Sequence, residues 1–315
     1  MSSVAELAVD FAGLQFRNPL VAASGTCGWG EELERLEGFA NGLVGAIILK
    51  SATREPRLGN PTPRIVEAAG GAGLINSIGL ENPGVDAVVR DYLPRLADAP
   101  TVVVGNVAGS TVDDYAATAE RLCASPVIQA IEVNISCPNV KRGGILFGVD
   151  PDAAATVVAA VRAVTDKPVI AKLTPNVTDI APIARACIQA GANALSVSNT
   201  FRALAIDVRT HRPLIGANFG GLSGPAIKPL ALLKVHETYA VARAAGVPIL
   251  GGGGIMTGAD ALEFLLAGAT ACFVGTLLLR EAAACGRLLD ELAALLAAQG
   301  TCRVADLVGG LILHE

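Results

Sequence analysis

Ala130-Ile-Glu-Val-Asn134-Ile-Ser-Cys137-Pro-Asn139 joins a strand pattern to a cluster of small polar groups and one thiol. Ile131, Val133 and Ile135 alternate with Glu132 and Asn134 as the two faces of a strand do, and Pro138, which has no N–H, ends the ladder. Cys137 therefore falls just past a strand's C-terminal end. A thiol there, flanked by the carboxamides of Asn134 and Asn139, suits a base or nucleophile whose planar, amide-like substrate is oriented by paired donors and acceptors. A lone cysteine is more often buried and inert, so this reading depends on the residues around it.

The same kind of apolar run recurs on both sides: Pro19–Ala23, Ala46–Leu49, Val102–Val104, Val169–Leu173, Ala194–Val197, Val247–Leu250 and Ala271–Val274. Between the runs lie alanine-rich amphipathic segments, among them Val112–Ala124, Pro151–Thr165, Asp179–Ala190, Ile227–Ala245, Ala259–Ala267 and Arg287–Ala298. Several of these begin with Pro or Asp, as first helical turns prefer. About eight strand–helix units predict a closed (β/α)8 TIM barrel, α/β in class, as a single domain over residues 1–315. A doubly wound open sheet is the other arrangement that this alternation allows.

Each run gives way to a polar side chain or bare backbone: Ser24, Lys50-Ser51, Asn106, Asn134, Lys172, Ser198-Asn199, Gly251 to Gly254, and Gly275-Thr276. In a barrel these ends meet at one face, where barrel enzymes build their sites. The glycine-rich ends of the last two units expose N–H groups that suit a phosphate. Lys50 and Lys172 directly follow apolar runs, so their burial calls for an anionic or electron-rich partner. Three insertions interrupt the pattern. Arg54 to Arg64, with three prolines, reads as a stiff loop, and Ala72 to Gly84 as an irregular segment pointing polar groups to the same end. Thr200 to Gly221 reads as a hairpin around Thr210-His211-Arg212-Pro213. Lys141-Arg142-Gly143-Gly144, just after Cys137, reads as a movable lid.

Composition narrows the function. Apolar residues make up 52% and charged residues 17%, with a mean hydropathy of +0.51, enough for a large core. The longest apolar stretch, Phe264 to Leu279, is interrupted by glycines and is too short to span a membrane. Residues 1–10 lack the pattern of a signal peptide, so a cytoplasmic protein is expected. Seven cysteines without a Cys-x-x-Cys argue against disulfides and against a metal or iron–sulfur site within the chain. His211, His236 and His314 lie far apart, without ligand spacing. A net charge of −5 and a pI near 5.3 give no footprint for nucleic acid, which leaves a small ligand.

These residues resemble one family, the catalytic subunits of dihydroorotate dehydrogenases, FMN flavoproteins of pyrimidine synthesis built on a (β/α)8 barrel. The resemblance covers nearly the whole chain. It rests on Ala23-Ser-Gly25, Lys50-Ser-Ala-Thr-Arg-Glu-Pro-Arg57, Gly59-Asn60-Pro61, Asn76-Ser-Ile-Gly-Leu80, Asn134-Ile-Ser-Cys-Pro-Asn139, Ser198-Asn-Thr200, Gly220-Gly-Leu-Ser-Gly224 and Gly275-Thr276. It implies that FMN is held by Ser24, Lys50, Ser51, Asn106, Asn134, Lys172, Ser198, Gly224, Gly253, Gly254, Gly275 and Thr276. Dihydroorotate or orotate would lie against Lys50, Asn76, Ser77, Ile78, Gly79, Leu80, Asn134, Asn139, Asn199 and Thr200. Cys137 would remove the C5 proton while a hydride leaves C6 for the flavin, with Lys50 as its catalytic companion and Lys172 stabilising charge on the reduced flavin.

The family divides by electron acceptor. A cysteine base and the lack of an N-terminal extension disfavour its membrane-linked class. Asn82-Pro-Gly-Val85 and Val140-Lys-Arg-Gly-Gly144 resemble the NAD-linked subunit more than the fumarate-reducing homodimer. The implied partner is an electron-transfer subunit carrying FAD and a 2Fe-2S cluster, two copies of each chain forming a heterotetramer. Dihydropyrimidine dehydrogenases share the Asn-x-Ser-Cys-Pro run but usually follow it with histidine, where this chain has Asn139. A non-catalytic FMN-binding barrel is the alternative from another class.

Overall fold

The computed structural model describes residues 6–32, 34–136 and 147–314. Eight parallel strands close into a barrel in chain order: β1 (Leu20–Ala22), β2 (Ala46–Ala52), β3 (Val102–Val107), β4 (Ala130–Asn134), β5 (Val169–Lys172), β6 (Ala194–Val197), β7 (Ile249–Gly251) and β8 (Ala271–Val274). β5 pairs with β6 and β8 with β1, which closes the ring and settles the barrel against the open sheet. Helices Val112–Cys123, Pro151–Arg162, Ala181–Gln189, Lys228–Ala245, Gly258–Ala267 and Ala284–Ala298 surround it. Their starts are written locally. Thr111 with Asp114 and Thr257 with Asp260 form capping boxes, and Asp150 caps the helix whose first residue is Pro151. The third helix begins two residues later than expected because Asp179 stays outside it, its carboxylate accepting from Ala181 N at 2.9 Å.

In a half-exposed strand the apolar face turns inward; here the faces are assigned otherwise. Ile131 and Val133 join the apolar shell under the helices, whereas Glu132 and Asn134 are also buried. Glu132 is in register with Asn106 on β3, and Asn134 with Lys172 on β5, which in turn is in register with Ser196 on β6. Neighbours in parallel register share a face, so one set of polar residues lines the barrel interior. Before β1 the chain forms an antiparallel ribbon, Val9–Phe11 with Leu14–Phe16, whose buried Phe11 and Phe16 rings stack at 5.2 Å. Phe16 packs so closely on Gly45, just before β2, that a Cβ there would meet it at 2.8 Å.

The open end carries a second sheet, where the sequence pattern shows only irregular insertions. Phe201–Ala203, Gly220–Ser223, Gly73–Asn76 and Ile65–Ala68 pair antiparallel in that order. Its strands come from the insertions after β2 and β6, so both insertions fold together over the same mouth. The expected hairpin is present, Ile206–Asp207 pairing with Arg212–Pro213. Arg54 to Arg64 contains no strand or helix, and a bridge from Arg57 to Asn82 holds it down. Among the described residues no helix is long and apolar enough to cross a membrane.

Candidate active site

Side chains from five strand ends form one directional hydrogen-bond chain. Thr200 N donates to Asn199 Oδ1 at 2.7 Å, and Asn199 Nδ2 donates to Ser136 Oγ at 2.5 Å. Ser136 Oγ donates to Asn134 Oδ1 at 2.7 Å, and Asn134 Nδ2 reaches Ser51 Oγ at 3.4 Å. Ser51 Oγ donates to Asn106 Oδ1 at 2.5 Å, and Asn106 Nδ2 donates to Glu132 Oε2. Lys172 Nζ meets that same Oε2 at 3.2 Å from the other side and lies 5.6 Å from the centre of the Phe273 ring. Ser51, Asn106, Glu132, Asn134, Ser136 and Lys172 are all buried. Tyr115 fixes the end of β4 by donating its hydroxyl to Asn134 O at 2.9 Å.

Lys172 thus has both kinds of partner expected for it, a carboxylate and an aromatic ring. Lys50 differs in two ways. It does not end its strand: β2 runs on to Ala52, with a register shift between Ile48 and Ser51 that re-aims this part of the strand. Its ammonium lies 3.3 Å from Glu81 Oε2, which Arg64 also approaches at 3.5 Å, and Glu81 is half exposed. Glu81 directly follows the Asn76-to-Leu80 segment. Ser24, from the first loop, donates to Leu49 O at 2.9 Å beside Lys50.

The outer sheet brings the next group of expected residues to this mouth. Asn76 Nδ2 donates to Gly221 O at 3.3 Å, and Gly221 is in turn so close to Thr200 that no Cβ would fit. Ser77 Oγ accepts from Asn60 Nδ2 at 2.8 Å, and the Ile78 carbonyl accepts from Asn60 N at 3.0 Å. Gly79 and Leu80 both have positive φ, at 77° and 57°. Gly79 needs to be glycine, because a Cβ would meet the backbone N of Asn60 at 2.6 Å.

A glycine cradle forms the remaining side. Gly253 and Gly254 have φ of 140° and 85°, and a Cβ on Gly254 would lie 2.7 Å from the Gly224 carbonyl oxygen. Thr276 Oγ1 donates to Ser223 Oγ at 2.8 Å, which ties the end of β8 to the outer sheet beside Gly224. A Cβ on Gly275 would meet nothing closer than Ala23 at 3.5 Å, so that side is open. The backbone N–H groups of Gly253, Gly254, Gly275 and Thr276 have no acceptor among the described residues. Buried Ser198 Oγ and Ser196 Oγ also have no partner there. Bare donors beside glycines suit an anionic oxygen, and orphaned buried hydroxyls ask for a ligand.

The described site residues thus fall into three local groups at the ends of the barrel strands and in the sheet beside them: the interior hydrogen-bond chain, the Lys50 rim with the outer sheet, and the glycine cradle. Cys137 and Asn139 lie outside the described residues, as does the expected lid at Lys141 to Gly144. Two participants went unnoticed in the sequence, Glu132 and Ser136. A glutamate inside an apolar strand, two residues from a site asparagine and so on its face, was the available signal for the first. Ser136 had only its place beside Cys137. Four other thiols, Cys27, Cys187, Cys272 and Cys285, are buried away from charge partners that would ionise them. Burial pushes Cys27, Cys187 and Cys285 up to about 12 and Cys272 up as well.

A closed eight-stranded barrel with its polar groups gathered at the C-terminal mouth is the frame of a barrel enzyme. The family model for dihydroorotate dehydrogenase matches residues 6–296, and the chain belongs to that family. It is 51% identical to the dihydroorotate dehydrogenase B (NAD(+)) catalytic subunit of Geobacter sulfurreducens, covering 97% of this chain and 98% of that one. Against the subunit of the same name from Desulforudis audaxviator it is 52% identical over 96% of each chain. Against that from Geobacillus kaustophilus it is 45% identical over 96% and 95%.

Proposed function

We propose that this chain oxidises dihydroorotate to orotate in pyrimidine biosynthesis and passes the electrons toward NAD as the catalytic subunit of a larger enzyme. The observation that carries the reading is near end-to-end similarity to NAD-linked catalytic subunits, joined to a barrel mouth that supplies the donors such a reaction needs. FMN fits the residues present. Its phosphate suits the acceptor-free N–H groups of Gly253, Gly254, Gly275 and Thr276, with Gly224 leaving room beside them. Ser24, Lys50, Ser51, Asn106, Asn134, Lys172 and Ser198 would hold the rest. When bound, FMN supplies the hydride acceptor for C6 of the substrate.

The chain's own residues do the remainder. Lys50, Asn76, Ser77, Ile78, Gly79, Leu80, Asn134, Asn139, Asn199 and Thr200 would bind a small anion bearing two carbonyls and two ring N–H groups. The amide direction in the hydrogen-bond chain leaves each asparagine with spare donor and acceptor capacity for such a ring. Cys137, next after Ser136, takes the C5 proton as the base, and the Lys172 ammonium offsets negative charge that develops on reduction. A free thiol ionises near 8.5, so oxidation should climb with pH toward an alkaline plateau. Cys137→Ala should retain FMN yet lose most flavin reduction by dihydroorotate in rapid mixing. Near-normal reduction in that variant would remove Cys137 from its role.

The partner is the electron-transfer subunit carrying FAD and a 2Fe-2S cluster, assembled two plus two with this chain. The isolated chain should reduce artificial dyes but not NAD, and NAD reduction should appear when the partner is added. Rapid fumarate reduction by the chain alone, with no partner recovered on gentle purification, would favour the homodimeric class.

A further inference from the structure

Glu132 is fully buried, its Oε2 accepts from both Asn106 and Lys172, and its Oε1 has no partner among the described residues. A carboxylate so placed is costly, and one that only packs the core would be better replaced by an apolar residue. Its position explains its presence. Five successive side-chain donors, from Asn199 through Ser136, Asn134, Ser51 and Asn106, all point toward this one carboxylate. An anion at the end of such a chain sets the direction of every bond in it, because reversing any amide would turn a donor away from the charge. The same anion is the countercharge of Lys172.

We infer that Glu132 is a positioning residue that fixes the amide orientations of the site and offsets the Lys172 charge, so holding down the reduction potential of the flavin bound there. This rests on the reading that Lys172 faces the flavin. A buried carboxylate beside the ammonium subtracts from the positive field that favours the reduced, anionic flavin, and it does so strongly where the medium is dry. Without it Lys172 acts uncompensated and reduction becomes easier. The chain's direction is lost as well, since a glutamine at this position both donates and accepts.

The test is a dye-coupled redox titration of FMN-loaded Glu132→Gln, Lys172→Gln and the double variant, with the visible spectrum of each recorded with and without orotate. Glu132→Gln should shift the two-electron equilibrium toward reduced flavin by roughly tenfold, about 30 mV, and change the spectral response to orotate. Lys172→Gln should shift it the opposite way, with the double variant between the two single variants. A Glu132→Gln equilibrium within twofold of the parent, while Lys172→Gln moves, would overturn the proposal and leave Glu132 as packing. If neither the Lys172 nor the double variant moves, the placement of Lys172 at the flavin fails, and this inference with it. Where Glu132→Gln yields no folded holoprotein, the Lys172→Gln background asks the same question. There the double variant must be the more readily reduced of the two, and equal potentials would overturn the proposal.

Discussion

Lys172 and Lys50 stand at the same barrel mouth, each next to a carboxylate, yet they are built oppositely. Lys172 is buried against Glu132 at the end of a directional hydrogen-bond chain. Lys50 is a quarter exposed, and its partner Glu81 lies in a loop, half exposed and shared with Arg64. The interior pair is shielded from solvent by its burial, whereas either member of the rim pair can turn to solvent or to an incoming anion. One site thus combines a fixed wall, suited to a cofactor that stays, with an exchangeable rim, suited to a substrate that comes and goes.

Cutting each pair separates wall from rim by the largest margin. Lys172→Met strands a buried carboxylate, and such cuts cost about 3–5 kcal/mol. Denaturant unfolding of the flavin-free protein should show a loss of that size, with much of it recovered in Lys172→Met/Glu132→Leu. A loss below about 1 kcal/mol would mean that water reaches the pair and that the wall is not fixed.

Alkaline pH limits the window in which the rim stays folded around its chemistry. Cys27, Cys187, Cys272 and Cys285 are raised by burial, so folding favours their neutral forms. Their contribution is fully present below the unfolded thiol value near 9. It is lost as pH rises from there toward about 12. One pH unit above that lower value, each should have given up about 1.4 kcal/mol. Unfolding midpoints at pH about 8 and about 10 should differ accordingly, and a flat profile would show these thiols to be solvated. The alkaline rise expected of a Cys137 base must therefore be measured below the onset of this loss.

At the rim, Lys50→Ala should leave stability within about 1 kcal/mol, as exposed pairs do, while weakening orotate binding. A charge-assisted hydrogen bond contributes about 1.5–3 kcal/mol, so titration of the flavin spectrum should show a loss of roughly tenfold or more. An unchanged titration would mean that Lys50 serves Glu81 alone.

The fixed wall and the exchangeable rim were not equally legible. Strand positions could be read because each strand carries its own apolar run, and the polar residues that end the runs converge in any barrel; closure itself is settled by the pairing of β8 with β1, which alternation alone does not dictate. The inward face of β4 could not be read that way, since alternation identifies two faces without saying which is interior. Glu132 therefore passed as ordinary strand polarity. The rim was harder for another reason. Gly73–Asn76 pairs with Gly220–Ser223 across about 145 residues of chain, and both are only four residues long and begin with glycine, so no local pattern marks them as strands. Lys50 looked like a strand end because nothing in Leu49-Lys50-Ser51 announces a register shift.

Glu81 gives the smallest effect and the most direct test of exchange at the rim. It occupies the ammonium that the substrate carboxylate is proposed to use, and a bound anion must either displace it or share Lys50 with it. Removing the competitor while keeping its shape should then help binding. Glu81→Gln should tighten orotate by about twofold to fivefold, a gain under about 1 kcal/mol in keeping with an exposed pair. Added salt should narrow the difference, because it screens the rim pair in the parent and leaves less competition to remove. Stability should barely change, since Arg64 keeps its contacts with the carbonyl oxygens of Asn60 and Leu58. If orotate binds more weakly to Glu81→Gln at every salt concentration, Glu81 orients Lys50 for the substrate and is no competitor. The rim would then be as preorganised as the wall, and the contrast between the two lysines would reduce to their depth.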